Sequence, residues 1–196
     1  MEALKFNKKR RRQLGFTLIE TIVAISVLTV GLVAMATLMA EMSKNTSRSR
    51  YMSTASILAS EKLEDLNKYP PSDPEVRVTA GTAGSLTADL SNAGVNYYDD
   101  VSLSATGGGI TETTSGDNGA GGTVYTTIVH QPDGTITSTT SGAPPAPVGE
   151  VLDFHRRWII EKDVPVVGVR RVTVLVTLTN PPVIKAVTFQ MSTVRP

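Results

Sequence analysis

The sequence predicts an α+β protein: a long N-terminal membrane-spanning helix whose second half packs on a small antiparallel sheet. Three observations predict it. A basic block is followed by 20 consecutive uncharged, mostly apolar residues, Thr21–Ala40. Residues 41–67 then contain neither Gly nor Pro and carry a single apolar stripe. Residues 151–196 read as β-rich runs with partial alternation.

Composition narrows the chemistry before any motif is considered. The 196 residues include no cysteine, which excludes disulfide scaffolds, thiol catalysis and cysteine-based zinc sites. Aromatics are 5% of the chain, so its core must be built from Val, Leu, Ile and Ala. The formal net charge of +1 hides a split. Residues 1–15 hold Lys5, Lys8, Lys9, Arg10, Arg11 and Arg12 against Glu2, whereas the remainder is slightly acidic. A basic block at one end of such a chain is a targeting or orienting element and not a nucleic-acid surface.

Element by element, the chain divides into residues 1–15, a basic leader; 16–41, the transmembrane half of a helix; 42–69, its amphipathic half; 70–150, loops rich in Gly, Ser and Thr with short strands; and 151–196, C-terminal antiparallel strands. Twenty apolar residues suffice for one helical span of a bilayer. Lysines and arginines before it, with none behind until Lys44, place the N-terminus on the cytoplasmic side. Met52, Ala55, Ala59, Leu63 and Leu66 recur at spacings of three and four and form the stripe of the second half. Pro70 and Pro71 end the helix.

Within 70–150 one strand candidate stands out, Thr123–Val129, followed by a Pro132-Asp-Gly134 turn. Further on, Phe154–Glu161, Val169–Thr179 and Val183–Val194 are β-rich, with Asn180-Pro-Pro182 connecting the last two. Val172, Val174, Val176 and Leu178 fall on one face, and Arg171, Thr173, Leu175, Thr177 and Thr179 on the other. That aliphatic face is what the amphipathic half of the helix requires.

Glu20 immediately precedes that uncharged run, inside the predicted membrane helix. A charge in a bilayer helix costs about 2.5–3.5 kcal/mol and needs a partner. Once the basic leader is set aside, no cation lies within a turn of it.

Gly15-Phe-Thr-Leu-Ile-Glu20, preceded by a basic leader and opening a 20-residue apolar helix, resembles the type IV pilin family. The resemblance implies that a prepilin peptidase cleaves between Gly15 and Phe16 and that Phe16 is then N-methylated. It also implies that Glu20 pairs with the terminal amine of a neighbouring subunit during assembly. Val27-Leu-Thr-Val-Gly31-Leu-Val and Ala59-Ser-Glu-Lys-Leu-Glu-Asp-Leu66 are similar to PilV-type minor pilins. Two departures from major pilins, no proline between Phe16 and Ala40 and no C-terminal cysteines, favour a minor subunit.

The expected function is therefore a minor pilin, incorporated into a type IV pilus or priming its assembly. The alternatives are a pseudopilin of a type II secretion system and a non-polymerising membrane-anchored periplasmic binding domain. The implied partners are prepilin peptidase, other minor and major pilins, the inner-membrane assembly platform and the membrane itself. The implied location is the inner membrane in a single pass before assembly, and the pilus or cell surface afterwards.

Other readings are weaker. A secretory signal cleaved at Ala34-Met-Ala36 conflicts with the charge at Glu20 and with an apolar run that continues to Ala40. No nucleophile elbow, phosphate loop, zincin or dinucleotide pattern occurs, so no catalytic residue, metal or cofactor is expected. Asp99-Asp100 and the Asp117-Asn-Gly119 cluster lack a full calcium-loop spacing and read as solvated turn residues. His130 and His155 read as surface or strand-edge residues. Arg156-Arg157 and Arg170-Arg171 make the C-terminal region locally basic, but without stacking aromatics no nucleic acid is expected.

Overall fold

The computed structural model describes residues 16–92, 94–104, 109–145, 151–180 and 186–196. Among these described residues one helix, α1 (Leu18–Lys68), is followed by ten strands. The chain divides into two compact units, Met1–Asn45 and Thr46–Pro196, and α1 contributes to both.

In the first unit every described residue from Phe16 to Asn45 is exposed. Its apolar side chains, including Leu18, Ile22, Val30 and Leu38, are not covered by any of the described residues. Four hydroxyls within it bond back to helix carbonyls: Thr21 to Leu18, Ser26 to Ile22, Thr29 to Ser26 and Thr37 to Ala34, each at 2.8 Å. Hydroxyls satisfied in this way carry no unmet donor into an apolar solvent.

The second unit is an antiparallel sheet with the last four turns of α1 on one face. Its strands are β1 (Thr82–Gly84), β4 (Tyr98–Ser104), β5 (Ile110–Asp117), β6 (Thr123–His130), β7 (Ile136–Ser141), β8 (Val151–Lys162), β9 (Arg170–Leu178) and β10 (Thr188–Arg195). Their order is β10-β9-β8-β4-β5-β6-β7, with β1 also pairing β8. A separate two-stranded ribbon joins β2 (Ser91–Asn92) to β3 (Val95–Asn96). Strand β8 is long enough to serve two partners on one edge, with residues 151–157 facing β4 and residues 159–161 facing β1.

Alternation on β8 sends Phe154, Arg156, Trp158 and Ile160 to the helix side, all at 2% exposure or less. Val172, Val174, Val176 and Leu178 of β9 join them, on the face the alternation predicts. From α1 the core receives Ala55, Leu58, Ala59, Leu63 and Leu66. Leu58, absent from the predicted stripe, is buried, whereas Met52 packs at its margin. Between residues 70 and 150 the sequence singles out only Thr123–Val129; the structure adds β4, β5 and β7, whose Ser, Thr and Asp content hides their strand character. The predicted run Val183–Val194 is a strand from Thr188, and residues 181–185 lie outside the described residues.

Gly84 sets how closely β1 approaches β8. It has φ of +83°, and a Cβ there would stand 2.3 Å from the carbonyl oxygen of Trp158 and 2.9 Å from the Tyr97 ring. A backbone oxygen cannot rotate away, so Gly84→Ala is expected to cost about 2 kcal/mol or more. Urea unfolding of the full chain followed by Trp158 fluorescence measures it, and an unchanged midpoint would refute the constraint.

Candidate functional site

The helix begins where the sequence carries Thr17-Leu-Ile-Glu20. Thr17 is the N-cap: its backbone N–H and its Oγ1 both donate to Glu20 Oε2 at 2.9 Å, and Glu20 N–H returns a longer bond to Thr17 Oγ1 at 3.4 Å. This reciprocal pattern is a capping box. It gives the glutamate a local, uncharged partner, which the spacing Thr-x-x-Glu signals directly. Glu20 Oε1 has no partner among the described residues. The capped carboxylate sits on the first turn of the helix, where the N-terminal dipole favours negative charge. Phe16, immediately before the cap, is 88% exposed.

What this arrangement can do follows from its surroundings. The helix from Leu18 is long and apolar enough to cross a membrane. Apolar surface this extensive demands a cover, either lipid or other apolar helices. Glu20 is its single charge before Glu41, so any cover must also accommodate one carboxylate. The site is an exposed apolar surface that carries one capped carboxylate.

The remaining sequence candidates lie in the second unit and serve its architecture. Asp99 and Asp100, expected as solvated turn residues, are neighbours on β4 and point to opposite faces. Asp99, 1% exposed, accepts two bonds from Arg156, from Nε at 2.6 Å and Nη2 at 2.7 Å. Lys62 Nζ of α1 lies 3.0 Å from Asp99 Oδ2, the oxygen it shares with Arg156 Nη2, and 4.3 Å above the Trp158 ring. Arg156 Nη2 also reaches Glu112 at 2.6 Å. Burial alone would push the Asp99 carboxyl up, but the Lys62 ammonium and the Arg156 guanidinium outweigh it and hold it below the usual carboxylate range.

His155, expected at a surface or strand edge, instead stands mid-sheet with a side chain only 14% exposed, between Asp100 and Asp89. Central position on an eight-stranded sheet is not visible in local sequence. His130 does sit at the end of β6, with Nε2 3.6 Å from Glu112. Asp117 and Asn118 cap their own turn through the amides of Gly119, Ala120 and Gly122. Of the four arginines, Arg156, Arg157 and Arg171 are ion-paired to acidic partners, and Arg170 donates to the Val76 carbonyl. Among the described residues no cluster of His, Asp and Glu could hold a metal ion.

Comparison with known proteins bears on the capped end of α1. Residues 10–36 match the prokaryotic N-terminal methylation motif. The chain carries the prepilin-type motif. It spans the end of the basic block, the capping box and most of the apolar stretch, and it supports a type IV pilin-like family. Gly15 and the rest of the leader lie outside the described residues, so the geometry of the motif begins at Phe16. No curated protein and no solved structure matches the chain. The motif and an apolar N-terminal helix together fit membrane anchoring and point to a structural subunit.

Proposed function

We propose that this protein is a minor pilin, held first in the inner membrane and then incorporated into a type IV pilus or priming its assembly. One observation carries the reading: the methylation motif overlaps the first part of α1, an apolar, exposed stretch whose single carboxylate before Glu41 stands four residues after Phe16. Prepilin peptidase removes residues 1–15 and Phe16 becomes the methylated N-terminus. The cation so created lies about 6 Å along the helix from Glu20 at 1.5 Å per residue, which favours pairing between neighbouring subunits over pairing within one. Phe16–Ala40 then exchanges lipid for the apolar helices of other pilins, while the sheet-bearing unit stays outside. The departures from major pilins, no proline in the apolar stretch and no cysteine, support a minor subunit of the PilV type.

Mass spectrometry of the mature N-terminus tests this on protein from membranes and from sheared filaments. The expected species begins at N-methylated Phe16 and occurs in both fractions. A chain that retains Met1, or one that begins at Thr37, overturns the proposal in favour of an anchored or secreted domain. Methylated Phe16 in membranes alone, with secretion lost when the protein is removed, transfers the role to a type II secretion pseudopilus.

A further inference from the structure

The segment Ser85–Asp89 leaves β1 and reaches the face of the sheet opposite α1. Within itself it is held by short-range bonds: the amides of Thr87 and Ala88 both donate to Ser85 Oγ at 3.1 Å. Its tie to the sheet is the Asp89 carboxylate, whose Oδ1 lies 2.8 Å from His155 Nε2 and 2.7 Å from Arg157 Nε. The other ring nitrogen, His155 Nδ1, is 2.5 Å from Asp100 Oδ1. Carboxylate oxygens accept and do not donate, so both bonds exist together only when both ring nitrogens carry protons.

Directly after Asp89, residues Leu90, Ser91 and Asn92 form one wall of a cavity of about 300 Å³. Its other walls come from the stretch between Arg77 and Gly84 and from Tyr97. The wall is fastened on its far side by Tyr97 N–H donating to the Leu90 carbonyl at 2.9 Å and by the β2–β3 ribbon. Its near side depends on Asp89.

We propose that His155 is a proton-operated clasp: as the imidazolium it fastens Asp89, and with it the Leu90–Asn92 wall of the cavity, to the sheet, and loss of its proton loosens that wall. The groups facing the ring are Asp89 from the segment, Asp100 and Tyr98 from β4 (the Tyr98 ring at 5.9 Å), and Arg157 and Asp153 from its own strand. The β9 residue opposite is Thr177, which is neutral. The hydrogen bond to Asp100, supported by Asp89 and opposed by burial, raises the His155 pKa from its ordinary 6.5. A group raised on folding contributes fully below its ordinary pKa and loses its contribution as pH climbs through the raised value. The clasp is therefore shut below the ordinary histidine range and loosens as pH climbs through the raised value. The remaining proton stays on Nδ1 beside Asp100, and the Nε2 lone pair then faces Asp89. Arg157 keeps its own bond, so the wall loosens without being released.

The experiment combines histidine-selective NMR titration with hydrogen exchange on the full chain in detergent micelles. His155 is expected to titrate above the ordinary histidine range. Over the same interval, amides 85–92 are expected to lose roughly ten- to a hundredfold protection after correction for intrinsic exchange, the loss of one hydrogen bond to a charged group, while amides of β9 hold theirs. His155→Gln should abolish the pH-linked part, and Arg157→Gln should enlarge it by leaving His155 as the tie to Asp89. An ordinary His155 titration in the unsubstituted chain, or pH-independent protection of 85–92, overturns the proposal without recourse to either variant.

Discussion

Asp99→Ala is expected to lower the stability of the sheet-bearing unit by about 3–5 kcal/mol, the range for removing one partner of a buried ion pair. The substitution leaves the Arg156 guanidinium, 0% exposed, and the Lys62 ammonium without their shared acceptor. Glu112 retains one bond to Arg156 and cannot replace the bidentate contact. Urea unfolding with Trp158 as reporter measures the loss, because this single tryptophan is buried beside Lys62. Acid should produce the same effect in the unsubstituted chain. A carboxyl depressed on folding contributes fully above its ordinary pKa of 3.8 and loses that contribution as pH falls through its lower folded value.

Replacing the whole set tests the same argument from the other side. Arg156 Nη1 and Trp158 Nε1 have no hydrogen-bond partner among the described residues. A buried polar network that is incompletely satisfied gives up little when exchanged for apolar residues of similar volume. The triple change Lys62→Met, Asp99→Leu, Arg156→Met should therefore recover most of the Asp99→Ala loss. A loss from Asp99→Ala below about 1 kcal/mol would place the ion pair outside the structural core.

Glu20→Ala is expected to separate insertion from assembly. Removing the charge lowers the cost of bilayer insertion by about 2.5–3.5 kcal/mol, whereas loss of the capping box costs the helix about 1 kcal/mol. The membrane-inserted amount should hold or rise. The fraction recovered in sheared filaments should fall roughly tenfold or more, since a charge-assisted bond to a neighbouring chain is worth about 1.5–3 kcal/mol. Quantitative immunoblotting of the two fractions reads both effects. Equal incorporation of Glu20→Ala and the unsubstituted chain would remove Glu20 from assembly.

The elements most legible in the sequence are those with a strong local period. The helix was bounded within two residues at its start and one at its end, because twenty apolar residues, a stripe and Pro70-Pro71 all act locally. The valine face of β9 was equally clear from alternation. Strands β4, β5 and β7 were not, since Asp99, Glu112 and the Thr-Ser-Thr-Thr run of β7 earn their places from neighbours far along the chain. Arg156 illustrates the limit most sharply. Its sequence context is basic and outwardly polar, yet alternation with Phe154 and Trp158 sends it into the core, where an aspartate 57 residues away meets it. At the N-terminus the motif and its carboxylate are legible, whereas the part played by Thr17 shows only in the geometry of the helix start.

The inward-bonded hydroxyls of Thr21, Ser26, Thr29 and Thr37 have a consequence for transit between surroundings. A helix whose polar groups depended on particular neighbours would have to break those ties before leaving them. This one closes its polar accounts on its own backbone, so hydrocarbon tails and close-packed side chains are nearly interchangeable solvents for it. If the chain assembles as proposed, partition between the two would be decided by Glu20 and by packing, and the passage could run in either direction without a polar barrier along the rest of the span.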